Sequence, residues 1–200
     1  DEIEEALAYL GIEEDGNIDG DFSHTHITND RMPLKLDEVK TYLREVSSKR
    51  TFPFVDSKII TAWNAMMIKA LFVASKIDGD YLALANQRLE ALLKMMWTKE
   101  RLHHQTLLGK QPKQEGLLED YAFLMDALIE GYERTYNKKY LTLLQALAKE
   151  AITKFYRQGK WYLSDDGIEA EADFDDRYYT SALSVMLENL VRLPSLTEDL

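Results

Sequence analysis

The sequence predicts an all-α fold built from repeated helical hairpins. Apolar residues recur every three or four positions over several long segments, which is the period of an amphipathic helix. The helix starts also recur, because Tyr81 and Tyr140 lie 59 residues apart and Tyr121 and Tyr179 lie 58 apart. We therefore predict a unit of helix, tight turn, helix and long loop that repeats about every 58 residues.

The first part of the chain predicts two short helices joined by a loop. Apolar spacing predicts a helix over residues 2–10, and Gly11 fits its C-terminal stop. A polar, glycine-bearing loop covers residues 13–31, and a second helix is predicted over about Asp37–Ser48. Pro53 then ends the link to the next segment.

The segment Asp56–Ile77 has the longest apolar stripe, so we predict a continuous helix there. Asp56 fits the N-cap position, where a side-chain oxygen accepts from free backbone N–H groups. Gly79 ends this helix, and Tyr81–Trp97 is predicted to be the second helix of the same hairpin.

The pattern then recurs after a polar loop over residues 98–116. Helices are predicted from Leu117 to Tyr132 and from Tyr140 to Phe155, with a tight break at Asn137 between them. Residues 157–176 read as loop, with a short extended piece at Trp161–Leu163. The last helix is predicted over about Arg177–Leu193 and is stopped by Pro194.

Alternating short and long links predict that the tight turns lie at one end of the array and the long loops at the other. Long loops on a rigid scaffold commonly carry function. The spacing is compatible with an open solenoid and with an (α/α) toroid, and we favour the toroid.

The composition limits the classes of partner and the compartment. The chain has 35 acids against 24 bases, a net charge of −11, so it should repel nucleic acids and anionic membranes. No apolar run reaches the ~20 residues of a membrane span. The absence of cysteine fits a reducing compartment, so we expect a cytoplasmic protein. Because the chain starts at Asp1 without a Met, we expect a piece of a longer protein.

The long-loop end is predicted to collect the groups that bind sugars. Aromatic rings stack on the C–H faces of sugars, and carboxylates and amides bind their hydroxyls. Two carboxyls about 6.5–9.5 Å apart suit an inverting glycosidase, and about 5–5.5 Å suits a retaining one. Sugar isomerases and epimerases use a His, Glu or Lys base. The predicted catalytic residues are Asp56, Asp120 and Glu119, and the predicted substrate-binding residues are Trp63, Asn64, Tyr121 and His24.

Each candidate also has a structural interpretation. Asp56 fits a helix cap, and Glu119 and Asp120 stand in a first turn, where the helix dipole favours acids. Trp63 and Tyr121 have the spacing of core residues, with the Tyr121 hydroxyl directed to the pocket rim. Asn64 is poorly suited to a helix interior, which favours a binding role.

The histidines do not predict a metal site. His24 and His26 have no third ligand at a suitable spacing, and His103 and His104 read as solvated loop. We therefore expect no metal and no cofactor. The acidic run with Asp173, Asp175 and Asp176 is typical of a solvated loop.

Three stretches resemble motifs of the YyaL-type family, whose animal members are the spermatogenesis-associated thioredoxin-like proteins. Asp56–Ile68, DSKIITAWNAMMI, resembles the D-D-K-x-[IL]-T-x-W-N-G-L-M-I motif. Leu118–Leu124 looks like the L-E-D-Y-A motif, and Gly16–Gly20 looks like the G-N-F-E-G motif. The departures are Ser57, Ala65, and Asp173–Ser181, which lacks the Pro and Asn of the family's D-x-A-x-P-S-x-N stretch.

The resemblance implies a fragment of an (α/α)6 toroid similar to six-hairpin glycosidases and N-acylglucosamine 2-epimerases. The family's N-terminal thioredoxin-like domain would precede this chain, and residues 1–200 would form a single domain. The leading hypothesis is a sugar hydrolase or epimerase/isomerase with Asp56 and Asp120 as acid and base. The alternative is a non-catalytic module that binds a ligand or partner. Exposed apolar edges of an open toroid would allow a homo-oligomer.

Overall fold

The computed structural model describes residues 1–20, 22–98, 101–167 and 170–197. These residues form two compact units, Asp1–Val55 and Asp56–Leu200, which we describe separately. The prediction of one domain over the whole chain stays a prediction. Within the described ranges no helix is both long and apolar enough to cross a bilayer.

The first unit contains α1, Glu2–Tyr9, and α2, Leu36–Ser48, close to the predicted bounds. Asp1 caps α1, because its carboxylate accepts from the backbone N–H groups of Ile3 and Glu4. The Asn17 side chain holds the intervening loop by donating to the Gly11 carbonyl and accepting from the His24 N–H.

The second unit contains five helices in the order that the repeat predicts. They are α3 Thr61–Ala74, α4 Asp80–Met96, α5 Leu118–Thr135, α6 Lys138–Phe155 and α7 Ala182–Thr197. Helix α5 lies in the centre and packs against α3, α6 and α7, while α4 pairs with α3. This arrangement confirms the predicted all-α fold of helical hairpins.

Short antiparallel strand pairs stand in the long links of this unit. Strand β1, Lys58–Ile60, pairs with β4, Gln105–Leu107; β2, Trp97–Thr98, pairs with β3, Arg101–Leu102; and β5, Tyr156–Arg157, pairs with β6, Lys160–Trp161. The long links also meet the helix starts, because Thr61 N donates to the His104 carbonyl and Leu118 N donates to the Leu163 carbonyl. The long loops therefore gather at the N-terminal ends of α3 and α5.

Three predicted helix boundaries are wrong. Asp56 does not cap α3, because residues 58–60 pair as a strand with β4 and the helix begins only at Thr61. Helix α7 begins at Ala182 rather than near Arg177, since the Asp176 carboxylate accepts from Ser181 N and holds that stretch outside the helix. Pro194 lies inside α7, which continues to Thr197.

The core of the second unit lies between the hairpins. It depends on the close approach of helices α3, α5 and α6 at Gly131. Phe72 of α3 is fully buried, and Gly131 of α5 faces its ring. A Cβ on Gly131 would lie 3.0 Å from two ring atoms of Phe72 and 3.3 Å from Tyr140. Glycine at this position therefore lets α3, α5 and α6 approach each other closely.

Gly131→Ala is expected to lower the free energy of unfolding by about 1 kcal/mol. Overpacking costs about 1–3 kcal/mol, and the better helix propensity of Ala offsets about 1 kcal/mol of that cost. Chemical denaturation measures the change. Gly79→Ala is the control, because a Cβ there would meet no atom within 4 Å. Equal or higher stability of Gly131→Ala would contradict the close approach.

Candidate active site

Asp120 links the three segments that form the site. Its side chain is fully buried, and its Oδ1 accepts from Ala62 N of α3 at 3.0 Å. Its Oδ2 accepts from Leu117 N, just before α5, and bonds to His104 Nδ1, each at 2.8 Å. A carboxylate that accepts several N–H groups forms strong, charge-assisted bonds. Asp120 thereby fixes the starts of α3 and α5 and the segment that carries His104.

His104 is held by Asp120 in a largely buried position, with 14% of its side chain exposed. The hydrogen bond from its Nδ1 to Asp120 raises the pKa of the imidazole, and this effect outweighs the opposing effect of burial. Among the described residues, Nε2 makes no hydrogen bond. His104 therefore holds its proton to a higher pH than a free histidine.

Glu119 stands next to this pair at the start of α5. Burial raises the pKa of its carboxyl, and the charge of Asp120 raises it further, whereas Tyr179 and His104 oppose the shift. Single ligand atoms of His104, Glu119 and Asp120 all lie within 4.8 Å of one another. Acid and base groups with perturbed pKa values in close proximity are typical of catalytic sites.

Tyr179 contacts the carboxyl of Glu119, and Trp63 interacts with the Tyr179 hydroxyl. The Tyr179 hydroxyl donates to Glu119 Oε2 at 3.2 Å. Burial raises the pKa of this hydroxyl, the charge of Glu119 adds to the shift, and Trp63 opposes it. Trp63 itself is 58% exposed, so it is a surface residue and the core interpretation is wrong.

A cavity of about 220 Å³ opens beside Glu119 and Tyr179. It is lined by the segment before α7, including Asp173, Asp175 and Arg177. The predicted solvated run thus forms one wall of this cavity. This volume is below the range of about 300–1,000 Å³ that is usual for small-molecule sites.

The other predicted catalytic residue, Asp56, lies in a different environment from Asp120. Its carboxylate is 51% exposed and forms an ion pair with Lys58 at 3.0 Å. The hydrogen bond from Lys58 lowers the pKa of Asp56. Asp56 and Asp120 therefore do not share the surroundings of a paired acid and base, and a catalytic role for either stays a prediction.

The predicted binding residues are placed at three locations. Asn64 is exposed on α3, and its amide donates to the Ile60 carbonyl at 2.8 Å. Tyr121 is fully buried, and burial raises the pKa of its hydroxyl, which faces Glu150. His24 belongs to the first unit, where its ring stacks on His26. Binding roles for these three residues stay predictions.

Sequence reasoning placed His104 in a solvated loop and did not include Tyr179 in the site. His104 is largely buried and bonded to Asp120, so the solvated interpretation is wrong. The spacing of about 58 residues was a usable signal for the contacts around them. The hydrogen bond from Ala62 N to Asp120 connects residues 58 apart in the sequence, and the bond from the Tyr179 hydroxyl to Glu119 connects residues 60 apart.

His104, Glu119 and Asp120 are also close enough to one another to be considered as metal ligands. Both oxygens of Asp120, however, already accept hydrogen bonds, and His104 Nδ1 is bonded to one of them. An ion bound through His104 Nδ1 would have to replace the hydrogen bond from this nitrogen to Asp120 Oδ2.

Sequence comparisons connect the chain to proteins that are much longer. No family model matches it. It is 28% identical over 176 residues to an uncharacterized protein of Caenorhabditis elegans, covering 82% of this chain and 24% of that protein. It is 26% identical over 196 residues to human spermatogenesis-associated protein 20, covering 86% of this chain and 25% of that protein. The predicted resemblance is therefore confirmed, and the chain spans about a quarter of the length of these relatives.

Solved structures with the same fold are sugar enzymes. A D-mannose isomerase aligns with a TM-score of 0.56 at 14% identity, covering 72% of this chain and 41% of that chain. The GH76 α-mannanase of Bacteroides thetaiotaomicron aligns with a TM-score of 0.55 at 16% identity, covering 82% and 46%. At such identities the likeness concerns the fold alone, and it confirms part of an α/α toroid.

Proposed function

We propose that the second unit binds a sugar at the N-terminal ends of α3 and α5 and transfers protons to and from its reducing end. The function is that of an aldose–ketose isomerase or an epimerase. One observation carries the proposal: the Glu119 carboxyl and the His104 imidazole are adjacent, and the pKa of each is raised. They supply a carboxylate that is a stronger base than an exposed glutamate and an imidazolium that keeps its proton to a higher pH than a free histidine.

The proposed reaction is an isomerisation and needs no oxidant or reductant. Ionised Glu119 removes the proton from C2 of the open-chain aldose, and the C–H electron pair forms a C1=C2 double bond. His104 donates its proton to the carbonyl oxygen, which gives an enediol. Return of a proton to C1 and loss of the proton from O2 produce the ketose. Return of a proton to the other face of C2, with loss of the O1 proton to His104, produces the epimer.

The geometry does not suit the predicted pair of Asp56 and Asp120 as the two carboxyls of a glycosidase. A glycosidase uses two carboxyl groups, one as acid and one as base or nucleophile. Asp120 is enclosed and bonded to Ala62, Leu117 and His104, and Asp56 is on the surface with Lys58. Of the three predicted catalytic carboxyls, Glu119 is therefore the one that lines the cavity, together with Asp173 and Asp175.

A sugar is favoured as the ligand by the aromatic groups beside Glu119. The exposed face of Trp63 and the hydroxyl of Tyr179 provide a stacking surface and a hydrogen-bonding group. The structurally similar D-mannose isomerase and α-mannanase act on mannose and on mannose polymers, according to their names. D-mannose is accordingly the first probe.

Proton NMR in D2O tests the proposal on the full chain with D-mannose. We expect deuterium to appear at C2 of the recovered aldose or at C1 of the ketose, above the rate without protein. A thermal shift with D-mannose but no deuterium incorporation would contradict proton transfer and favour a non-catalytic binding module. Neither a shift nor incorporation with D-mannose or other common aldoses would contradict the sugar site.

Trp63→Ala is expected to raise the KM for the sugar by about 2- to 10-fold, with kcat nearly unchanged. Aromatic stacking contributes about 0.5–1.5 kcal/mol, and binding that is equal in the ground and transition states affects KM alone. Steady-state rates measured by NMR give both constants. Tyr136→Asn, an exposed aromatic in the tight turn between α5 and α6, is the control and should change neither constant.

A further inference from the structure

A groove along the outward face of α6 is separate from the proposed sugar site. It has a volume of about 760 Å³ and lies between α6 and the end of α4. Its lining includes Trp97, Leu143 and Ala146, the lysines Lys139, Lys149 and Lys154, and one acid, Glu150.

The groove carries positive charge in an otherwise acidic protein. Helix α6 contains four lysines and one acid, Glu150, whereas the whole chain has a net charge of −11. Lys154 already pairs with Glu115 at 2.8 Å and lies 3.6 Å from Glu150. Within the described part of the chain, Lys138, Lys139 and Lys149 form no ion pair and extend into solvent. Their charges are therefore available to a partner.

The shape of the groove suits an extended occupant with an apolar side. The lining runs from Lys139 to Lys154, which at ~1.5 Å per residue corresponds to about 22 Å of helix. The half-buried side chains of Trp97 and Leu143 supply apolar contact, and Ala146 leaves room for another backbone between them. A monosaccharide would fill only a small part of this length.

We propose that this groove binds an acidic amphipathic helix of a partner protein. Such a helix places apolar residues on Trp97 and Leu143 and carboxylates on Lys139 and Lys149, the usual arrangement of a helix in a groove. At physiological ionic strength charges are screened beyond about 8 Å. A short helix in the groove therefore interacts mainly with the groove lysines and little with the acidic residues elsewhere on the protein. The net charge of −11 disfavours a nucleic acid as the occupant.

Fluorescence anisotropy on the full chain tests this proposal with two labelled 16-residue peptides. One is helical, with Leu on one face and Glu on the other, and the second has Lys in place of every Glu. We expect the acidic peptide to bind, and the double variant Lys139→Glu/Lys149→Glu to weaken its binding at least tenfold. Lys110→Glu, an exposed loop lysine, is the matched control and should leave the affinity unchanged.

The Gln substitutions of Lys139 and Lys149 serve as a second pair, and circular dichroism checks that each variant is folded. Binding that is equal for both peptides, or unchanged in the double variant, would overturn the proposal. Concentration-dependent dimerisation that the double variant abolishes would assign the groove to a second copy of the chain and would also overturn it. The sugar assay does not depend on this result, because the two sites share no residue.

Discussion

Glu119→Gln is expected to lower the rate of deuterium incorporation at the sugar carbon by about 10²–10⁴-fold, the usual contribution of a general base. The amide has nearly the shape of the carboxyl but cannot accept the C2 proton. It still accepts a hydrogen bond from the Tyr179 hydroxyl, so the pocket should keep its form. Burial and the charge of Asp120 raise the pKa of Glu119 and make the ionised form a stronger base than an exposed glutamate.

The matched control for this experiment is Glu90→Gln, on the exposed face of α4. It should leave the exchange rate and the sugar affinity unchanged. If Glu119→Gln also lost binding, KM would rise, and a comparison at saturating sugar separates the two effects. Exchange at the wild-type rate in Glu119→Gln would contradict the role of Glu119 as base.

Asp120→Ala is expected to lower the free energy of unfolding of the second unit by about 3–5 kcal/mol, the usual cost of removing one member of a buried charged network. The substitution leaves the N–H groups of Ala62 and Leu117 and the ring of His104 without their acceptor. Each enclosed donor that loses its partner costs about 1–3 kcal/mol. Urea denaturation followed by circular dichroism measures the change.

Asp56→Asn is the control for Asp120→Ala, because the same sequence pattern marked both carboxyls as site candidates. Asp56 is exposed and pairs only with Lys58, so its replacement should leave the urea midpoint within error of the wild type. If the two variants behaved alike, the description of Asp120 as the link between α3, α5 and His104 would be wrong.

The helices were predictable because their causes are local. The apolar period and the turn residues at Gly79 and Asn137 lie within each hairpin, and they place α4, α5 and α6 to within a few residues. The start of α3 was not predictable in this way. A Ser or Asp before an apolar run looks like a cap, and only the pairing of β1 with β4, more than 40 residues later, prevents a helix there.

The site was predictable only in part for a similar reason. Glu119 and Trp63 were marked by residue type and by the family motifs, and in the structure each interacts with the Tyr179 hydroxyl. His104 was not marked, because nothing in a polar loop indicates that one of two adjacent histidines meets a buried acid. That contact depends on how the loop between α4 and α5 folds over the N-terminus of α5.

The pH dependence of deuterium incorporation from D2O tests the central claim most directly. Glu119 must be ionised and His104 protonated, so the rate should rise as Glu119 loses its proton and fall as His104 loses its own. Because both pKa values are raised, we expect the acid limb above the usual 4.5 of glutamate and the alkaline limb above the usual 6.5 of histidine. In His104→Gln the alkaline limb should disappear. A profile that keeps this limb in His104→Gln, or a wild-type rate independent of pH, would contradict the proposed acid–base pair.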